Sequence, residues 1–198
     1  ALKAFTQWRT SWLSREAWAS VVTLVLLAPV ALSDIFDLGL ARAVGQIGGT
    51  LAILTVFTTA MIYAQIKAVP RWHHWLTPVM FLTFSIAGGA MLSGAVWAPV
   101  LLLAVGAVLL ALWHVGDAAF ARAGQTLGTA TGLERLGVPL VLDPAHTAGN
   151  YLKRELIFVV GRKHAAKLRR IALALAAVLP AFILLLPLGL VGIALAAI

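Results

Sequence analysis

The chain has 198 residues, of which 62% are hydrophobic and 11% are charged, and its mean hydropathy is +0.98. Soluble domains carry about 25% charged residues, so this composition excludes a water-soluble domain and indicates an integral membrane protein. The sequence contains no cysteine, which excludes disulfides and cysteine-ligated iron–sulfur clusters within this chain. The net charge of +8 would suit nucleic-acid binding in a soluble protein, but in a membrane protein basic residues encode orientation.

Five apolar runs predict five membrane-spanning helices, because a helix needs about 20 apolar residues to cross a bilayer. The predicted spans are residues 17–32, 44–66, 75–92, 96–116 and a stretch within 171–198. Pro180 and Pro187 are expected to kink the last span. The polar segment 117–170 is too long for a simple link and is expected to hold structure of its own. We therefore predict one all-α transmembrane domain over residues 1–198.

The distribution of basic residues predicts the orientation of this bundle. Five spans bring the N-terminus, the link between the second and third spans, and segment 117–170 to one side of the membrane. That side holds every Lys and Arg of the chain except Arg42. Because short loops rich in Lys and Arg mark the cytoplasmic face, we predict a multi-pass protein of the inner membrane with its N-terminus and basic face in the cytoplasm. All five histidines lie on or near this face: His73, His74, His114, His146 and His164.

The stretch TSWLSREAW, at the start of the first span, contains an ionisable group with two possible roles. In the structural interpretation, Ser14 caps the helix and Glu16 sits in the first turn, where a carboxylate suits the helix dipole. In the functional interpretation, Glu16 takes up or delivers a proton near a quinone, and Arg15 or Arg9 tunes it. Ionisable groups at membrane depth are costly and are therefore functional candidates, but Glu16 lies near the interface, where this cost is low.

The link YAQIKAVPRWHHWLTP and the end of the fourth span supply the other candidates. His73, His74 and His114 are possible axial ligands of a haem b, and His114 is alternatively a hydrogen-bond partner of a quinone. Tyr63 either lines a cavity for a quinone headgroup or anchors the helix at the interface. The structural alternative for each histidine is an ordinary interfacial position.

Residues 150–167, NYLKRELIFVVGRKHAAK, place apolar residues at helical spacing among basic ones. This pattern predicts an amphipathic helix on the membrane surface. The alternative is that its basic face docks an acidic soluble partner.

Three stretches carry a resemblance to a known family: SWLSREAW, TTAMIYAQIKAVPRWHHWLTPVMFLTFSIAGGAML and NYLKRELIFVVGRKHAAKLRR. The sequence resembles the DmsC family of membrane anchors of molybdopterin oxidoreductases, and within it the sulfite dehydrogenase (SoeC-type) anchors. The resemblance implies a complex with a molybdopterin catalytic subunit and a ferredoxin-like iron–sulfur subunit, whose cofactors lie outside this chain. It implies that the anchor binds quinone (ubiquinone or menaquinone), holds no haem and exchanges electrons with the iron–sulfur subunit.

Within this family the glutamate of the SRE motif belongs to the quinone site, and it matches Glu16. Family members generally have eight spanning helices, so two are expected before residue 1 and one after residue 198. The alternative functions are a haem b membrane cytochrome and a small transporter. The transporter is disfavoured because no charged residue falls in the middle of a predicted span.

Overall fold

The computed structural model describes residues 3–36, 42–140 and 160–197, and within those ranges every regular element is helical. The helices are α1 (Lys3–Thr6), α2 (Trp12–Phe36), α3 (Arg42–Ala64), α4 (Leu76–Leu92), α5 (Ala98–Ala123), α6 (Leu127–Thr131), a 3₁₀ turn (Leu133–Arg135), α7 (Ala165–Leu173), a π-helical stretch (Ala174–Val178), α8 (Leu179–Leu184) and α9 (Gly189–Ala197). By length and composition, α2, α3 and α5 can cross a membrane, and α4 is a shorter apolar helix of 17 residues. The predicted all-α membrane fold is confirmed. His146 and residues 150–159 of the predicted amphipathic helix lie outside the described residues.

Helices α2 and α3 form an antiparallel hairpin held by close packing. A Cβ added at Gly48 of α3 would lie 2.5 Å from Leu27 Cδ2 of α2, so the glycine lets the two helices approach each other. Nearer the start of α2, the hydroxyls of Thr23 and Thr55 lie 3.2 Å apart. In a bilayer, where lipid is as apolar as the side chains, small residues and hydroxyl hydrogen bonds of this kind hold helices together.

The remaining helices pack in chain order, α3 against α4, α4 against α5, and α5 against the last long helix. Their core is a cluster of buried side chains, Ala87, Leu102, Val105 and Ala181. A Cβ at Gly106 of α5 would lie 3.1 Å from Ala177 Cβ, which shows a second close approach, between α5 and the π-helical stretch.

The last long helix runs from Ala165 to Leu184 and changes its hydrogen-bonding pattern in the middle. Residues 174–178 are π-helical and immediately precede α8, whose second residue is Pro180. Proline has no backbone N–H, and its ring clashes with the carbonyl four residues earlier. The wider π turn just before Pro180 accommodates this proline, as π turns do within otherwise regular helices.

The apolar run that was predicted as one kinked span is two helices. After α8 the chain turns at Leu185–Leu188, and Gly189 has a φ of +55°, which a glycine adopts without strain. Helix α9 then packs back along α8 and against α4. A cavity of about 180 Å³ is lined by Leu175 and Pro180 and also by Ala196 and Ala197. The chain therefore reverses direction instead of continuing outward, because Pro187 and Gly189 fall at a turn.

One end of the bundle, here called the inner end, gathers the basic segments. Arg71 of the link after α3 and Arg169 of α7 both bind Asp117 near the end of α5. Helix α5 is longer than predicted and ends at Ala123, so Asp117 lies on the helix and not in a loop. The link, the end of α5 and the start of α7 thus share one end of the molecule, as the predicted topology requires.

Candidate functional site

Glu16 lies on α2 and faces α3. The Thr59 hydroxyl of α3 donates a hydrogen bond to Glu16 Oε1 at 2.6 Å, and Glu16 is half-buried. Helix α2 begins at Trp12, so Glu16 is past the first turn, and Ser14 is a buried helical residue whose Oγ has no hydrogen-bond partner among the described residues. The capping interpretation of Ser14 and Glu16 is therefore wrong. Glu16 is thus a carboxylate that a hydroxyl group holds between two apolar helices.

Arg15 fixes the chain that precedes α2. Its Nε donates to the carbonyl oxygen of Trp8 at 3.0 Å, its Nη2 donates to that of Arg9 at 2.9 Å, and its guanidinium lies 4.3 Å from the centre of the Trp12 ring. The Arg9 guanidinium lies 5.3 Å from the ring centre of Trp8. Arg15 therefore holds the backbone before α2 and contacts the Trp12 ring, whereas Arg9 makes a cation–π contact with the Trp8 ring.

A cavity of about 660 Å³ lies between α1, α2 and α3, and its wall includes Arg15 and Thr58, the sequence neighbours of Glu16 and Thr59. We call it the aromatic cavity; its lining includes Phe5, Trp8, Trp12, Arg15, Trp18, Phe57 and Thr58. The Trp18 indole donates to the Phe5 carbonyl oxygen at 2.8 Å, and Trp12 and Phe57 meet edge to face at 6.2 Å. Its volume and its mostly apolar, aromatic wall are typical of sites for small organic ligands.

Tyr63 lies one helical turn beyond Thr59 on α3. Its ring stacks on Phe81 of α4 at 5.5 Å and meets Trp72 of the link edge to face at 5.7 Å. Tyr63 therefore joins α3, α4 and the link in one aromatic contact. Because its side chain is 40% exposed, it is accessible at the inner end.

His73 and His74 point in different directions. A carbonyl oxygen only accepts hydrogen bonds, so His73 Nδ1–H donates to the Ala64 carbonyl at 2.7 Å and His74 Nε2–H donates to the Arg71 carbonyl at 2.8 Å. The remaining nitrogen of His74, Nδ1, is buried and has no partner among the described residues, whereas the His73 side chain is exposed. Of the two, His74 therefore has its remaining nitrogen directed inward.

His114 lies elsewhere, exposed on α5 and one turn before Asp117. Asp117 belongs to the charge cluster, defined as Arg71, Asp117 and Arg169: Arg71 Nε is 3.1 Å from Oδ1, and Arg169 binds both oxygens at 2.6 and 3.0 Å. The hydrogen bonds to Asp117, followed by the charge of that carboxylate, raise the pKa of the Arg169 guanidinium, which therefore stays protonated. Phe120 packs under the Arg71 guanidinium at 4.5 Å.

The structure thus sorts the predicted residues into three groups. The first group lies at the start of α2 and contains Arg9, Arg15 and Glu16. The second lies at the link and contains Tyr63, His73 and His74. The third is His114, beside the charge cluster. No hydrogen bond or ion pair among the described residues joins His114 to Glu16. Nor do the described residues contain a group of three His, Asp or Glu side chains able to hold a metal ion.

Sequence reasoning missed Thr59, Asp117 and the aromatic cavity. Trp8, Trp12 and Arg15 follow each other at spacings of four and three, a helical pattern that indicates a shared face. That spacing could have indicated the cavity. No sequence pattern pointed to Thr59, because a single threonine in an apolar helix most often forms a hydrogen bond with its own backbone.

The profile of the DMSO reductase anchor subunit (DmsC) family matches residues 1–126, which include α1 to α5 and every predicted site residue. The chain is also 31% identical over 219 residues to the C-subunit of the sulfite dehydrogenase of Allochromatium vinosum, a match that covers 93% of this chain. The chain spans 64% of the length of that relative. No solved structure matches the chain. Since the family profile covers well over half of its residues, the chain belongs to the DMSO reductase anchor subunit (DmsC) family.

Proposed function

We propose that this chain is the quinone-binding membrane anchor of a molybdopterin and iron–sulfur oxidoreductase complex that oxidises sulfite. In this proposal it passes electrons from the iron–sulfur subunit to a membrane quinone, ubiquinone or menaquinone. The observation that carries the proposal is the family match over the helices that hold Glu16 and the aromatic cavity. The sulfite branch is supported by the similarity to the C-subunit of a sulfite dehydrogenase.

The aromatic cavity is the proposed quinone site. Its indole and phenyl rings suit a flat, apolar ring system, and Thr58 in its wall adjoins Thr59, the partner of Glu16. Reduction of a quinone to a hydroquinone takes up two electrons and two protons, so the site needs a group that supplies protons. Glu16 fills this role. The Thr59 hydroxyl orients one carboxylate oxygen, and the other oxygen carries the proton between the inner end of the bundle and the quinone.

The exchange Glu16→Gln tests this role and keeps the size and the hydrogen-bond acceptor of the side chain. We expect sulfite-driven reduction of a quinone analogue by the purified complex to fall at least tenfold, because the amide does not deliver a proton. Reduction of the iron–sulfur clusters by sulfite is expected to be unchanged.

The matched control is Glu134→Gln, which makes the same change in the exposed 3₁₀ turn. This control is expected to keep wild-type quinone reduction. Equal quinone turnover in Glu16→Gln and wild type would remove Glu16 from the mechanism.

The inner end is the proposed docking surface for the iron–sulfur subunit. It exposes the link with His73 and Lys67 and, beside the link, the charge cluster. A cation-rich surface attracts an acidic partner and orients it during encounter. We place this end in the cytoplasm, because the short segments there carry the excess of Lys and Arg.

A further inference from the structure

Two cations form a stripe at the start of the last long helix. We call Lys167 and Arg170 the basic stripe; both side chains are exposed, and their spacing of three residues places them on one helical face. In the part of the chain that the structure describes, the ion pairs are those of Arg71 and Arg169 with Asp117. The stripe therefore takes no part in the charge cluster.

The charge cluster fixes the direction in which the stripe points. Arg169 reaches α5, where it binds Asp117 through two hydrogen bonds and lies 5.5 Å from the Trp113 ring centre. At 3.6 residues per turn, Lys167 is about 200° around the helix from Arg169. With Arg169 bound to α5, Lys167 faces away from α5.

The depth of the stripe is set by the same helix, which runs without a break from Ala165 to Leu184. The apolar stretch begins at Ile171, so Arg170 and Lys167 lie about 2 and 6 Å above it at a rise of 1.5 Å per residue. The polar layer of a leaflet is about 5–8 Å deep. These two cations therefore lie at the level of the lipid headgroups.

An apolar surface continues directly below the stripe. Ile171 and Leu175 follow Lys167 by one and two turns, and their side chains are 43% and 60% exposed. A cation above two exposed aliphatic side chains matches the layout of a phospholipid, with its phosphate above its acyl chains. Lys and Arg next to a spanning helix attract anionic lipid by charge.

We propose that the basic stripe binds the phosphate of an anionic phospholipid in the adjacent leaflet, with the acyl chains along Ile171 and Leu175. This inference does not depend on the quinone site. A soluble acidic protein fits less well, because the two cations lie at headgroup depth and Lys167 faces away from α5.

The test compares the complex purified in mild detergent with two double variants of equal charge loss. The first, Lys167→Gln and Arg170→Gln, removes the stripe, and the second, Arg122→Gln and Arg135→Gln, removes two other exposed cations. Mass spectrometry of extracted lipid gives phosphatidylglycerol and cardiolipin per complex. We expect at least a fivefold loss in the stripe variant and wild-type retention in the other.

A second measurement uses only the wild-type complex, so its result does not depend on whether the variants fold. In nanodiscs, we expect the thermal midpoint of the wild type to rise by several degrees when phosphatidylglycerol replaces part of the phosphatidylcholine. Equal lipid retention in both variants, or equal midpoints in the two lipids, would overturn the proposal. So would a stripe variant that keeps its lipid but loses the iron–sulfur subunit, because the stripe would then be a protein-docking surface.

Discussion

At the scale of single residues, Asp117 is the point where three segments of the chain meet. Its carboxylate binds Arg71 of the link and Arg169 of α7, and a Cβ at Gly116 would lie 3.0 Å from the Arg71 carbonyl oxygen. These contacts hold the link, with His73 and His74, against α5. The sequence placed Asp117 in a loop, because a charged residue ends an apolar run; the structure extends the helix past it because two arginines neutralise the charge.

Replacing this carboxylate tests the cluster. We expect Asp117→Asn to lower the stability of the complex by about 1 kcal/mol, since the side chains are 38–49% exposed and solvent screens them. Thermal unfolding of the solubilised complex at low salt measures the loss, which shrinks at 1 M salt because charges are then screened within about 3 Å. Glu134→Gln, which removes an exposed carboxylate outside the cluster, is the control. A midpoint equal to that of the wild type at low salt would contradict a stabilising role for the cluster.

At the scale of elements, the helices were predictable and their contacts were only partly so. Hydropathy placed α2 to α5, because a bilayer demands long apolar runs. It did not distinguish the kinked span from the α8–α9 hairpin, since Pro180 and Pro187 give the same signal whether a helix bends or ends. Glu16 was a candidate from its place at the start of the first span and from the SRE motif, but its partner Thr59, 43 residues away along the chain, emerges only from the packing of α2 on α3.

Substitutions at two neighbouring glycines of α3 test the packing of α2 on α3. Gly48 faces Leu27, whereas a Cβ at Gly49 would meet nothing within 4 Å. We expect Gly48→Leu to force the helices apart, at a cost of about 1–3 kcal/mol, and to lower the amount of assembled complex in the membrane several-fold. Gly49→Leu is expected to leave it unchanged. Equal loss in both variants, measured by immunoblot of membranes, would contradict this helix pairing.

At the scale of the whole molecule, the inner end combines the basic segments, the predicted histidines and the proposed quinone site. The proposed cytoplasmic orientation of this end is testable because the chain has no cysteine. We expect Lys67→Cys to react with a membrane-impermeant maleimide only in inside-out vesicles, and Val96→Cys, 92% exposed in the turn before α5, only in spheroplasts. The reverse pattern of labelling would invert the topology.

The central claim is that this chain anchors an oxidoreductase complex in the membrane. The most direct measurement is purification of the tagged chain from its native membrane in mild detergent, followed by quantitative mass spectrometry of the proteins that accompany it. We predict a molybdopterin protein and a cysteine-rich ferredoxin-like protein in amounts equal to the anchor. A chain that purifies alone, or only with copies of itself, would contradict the claim.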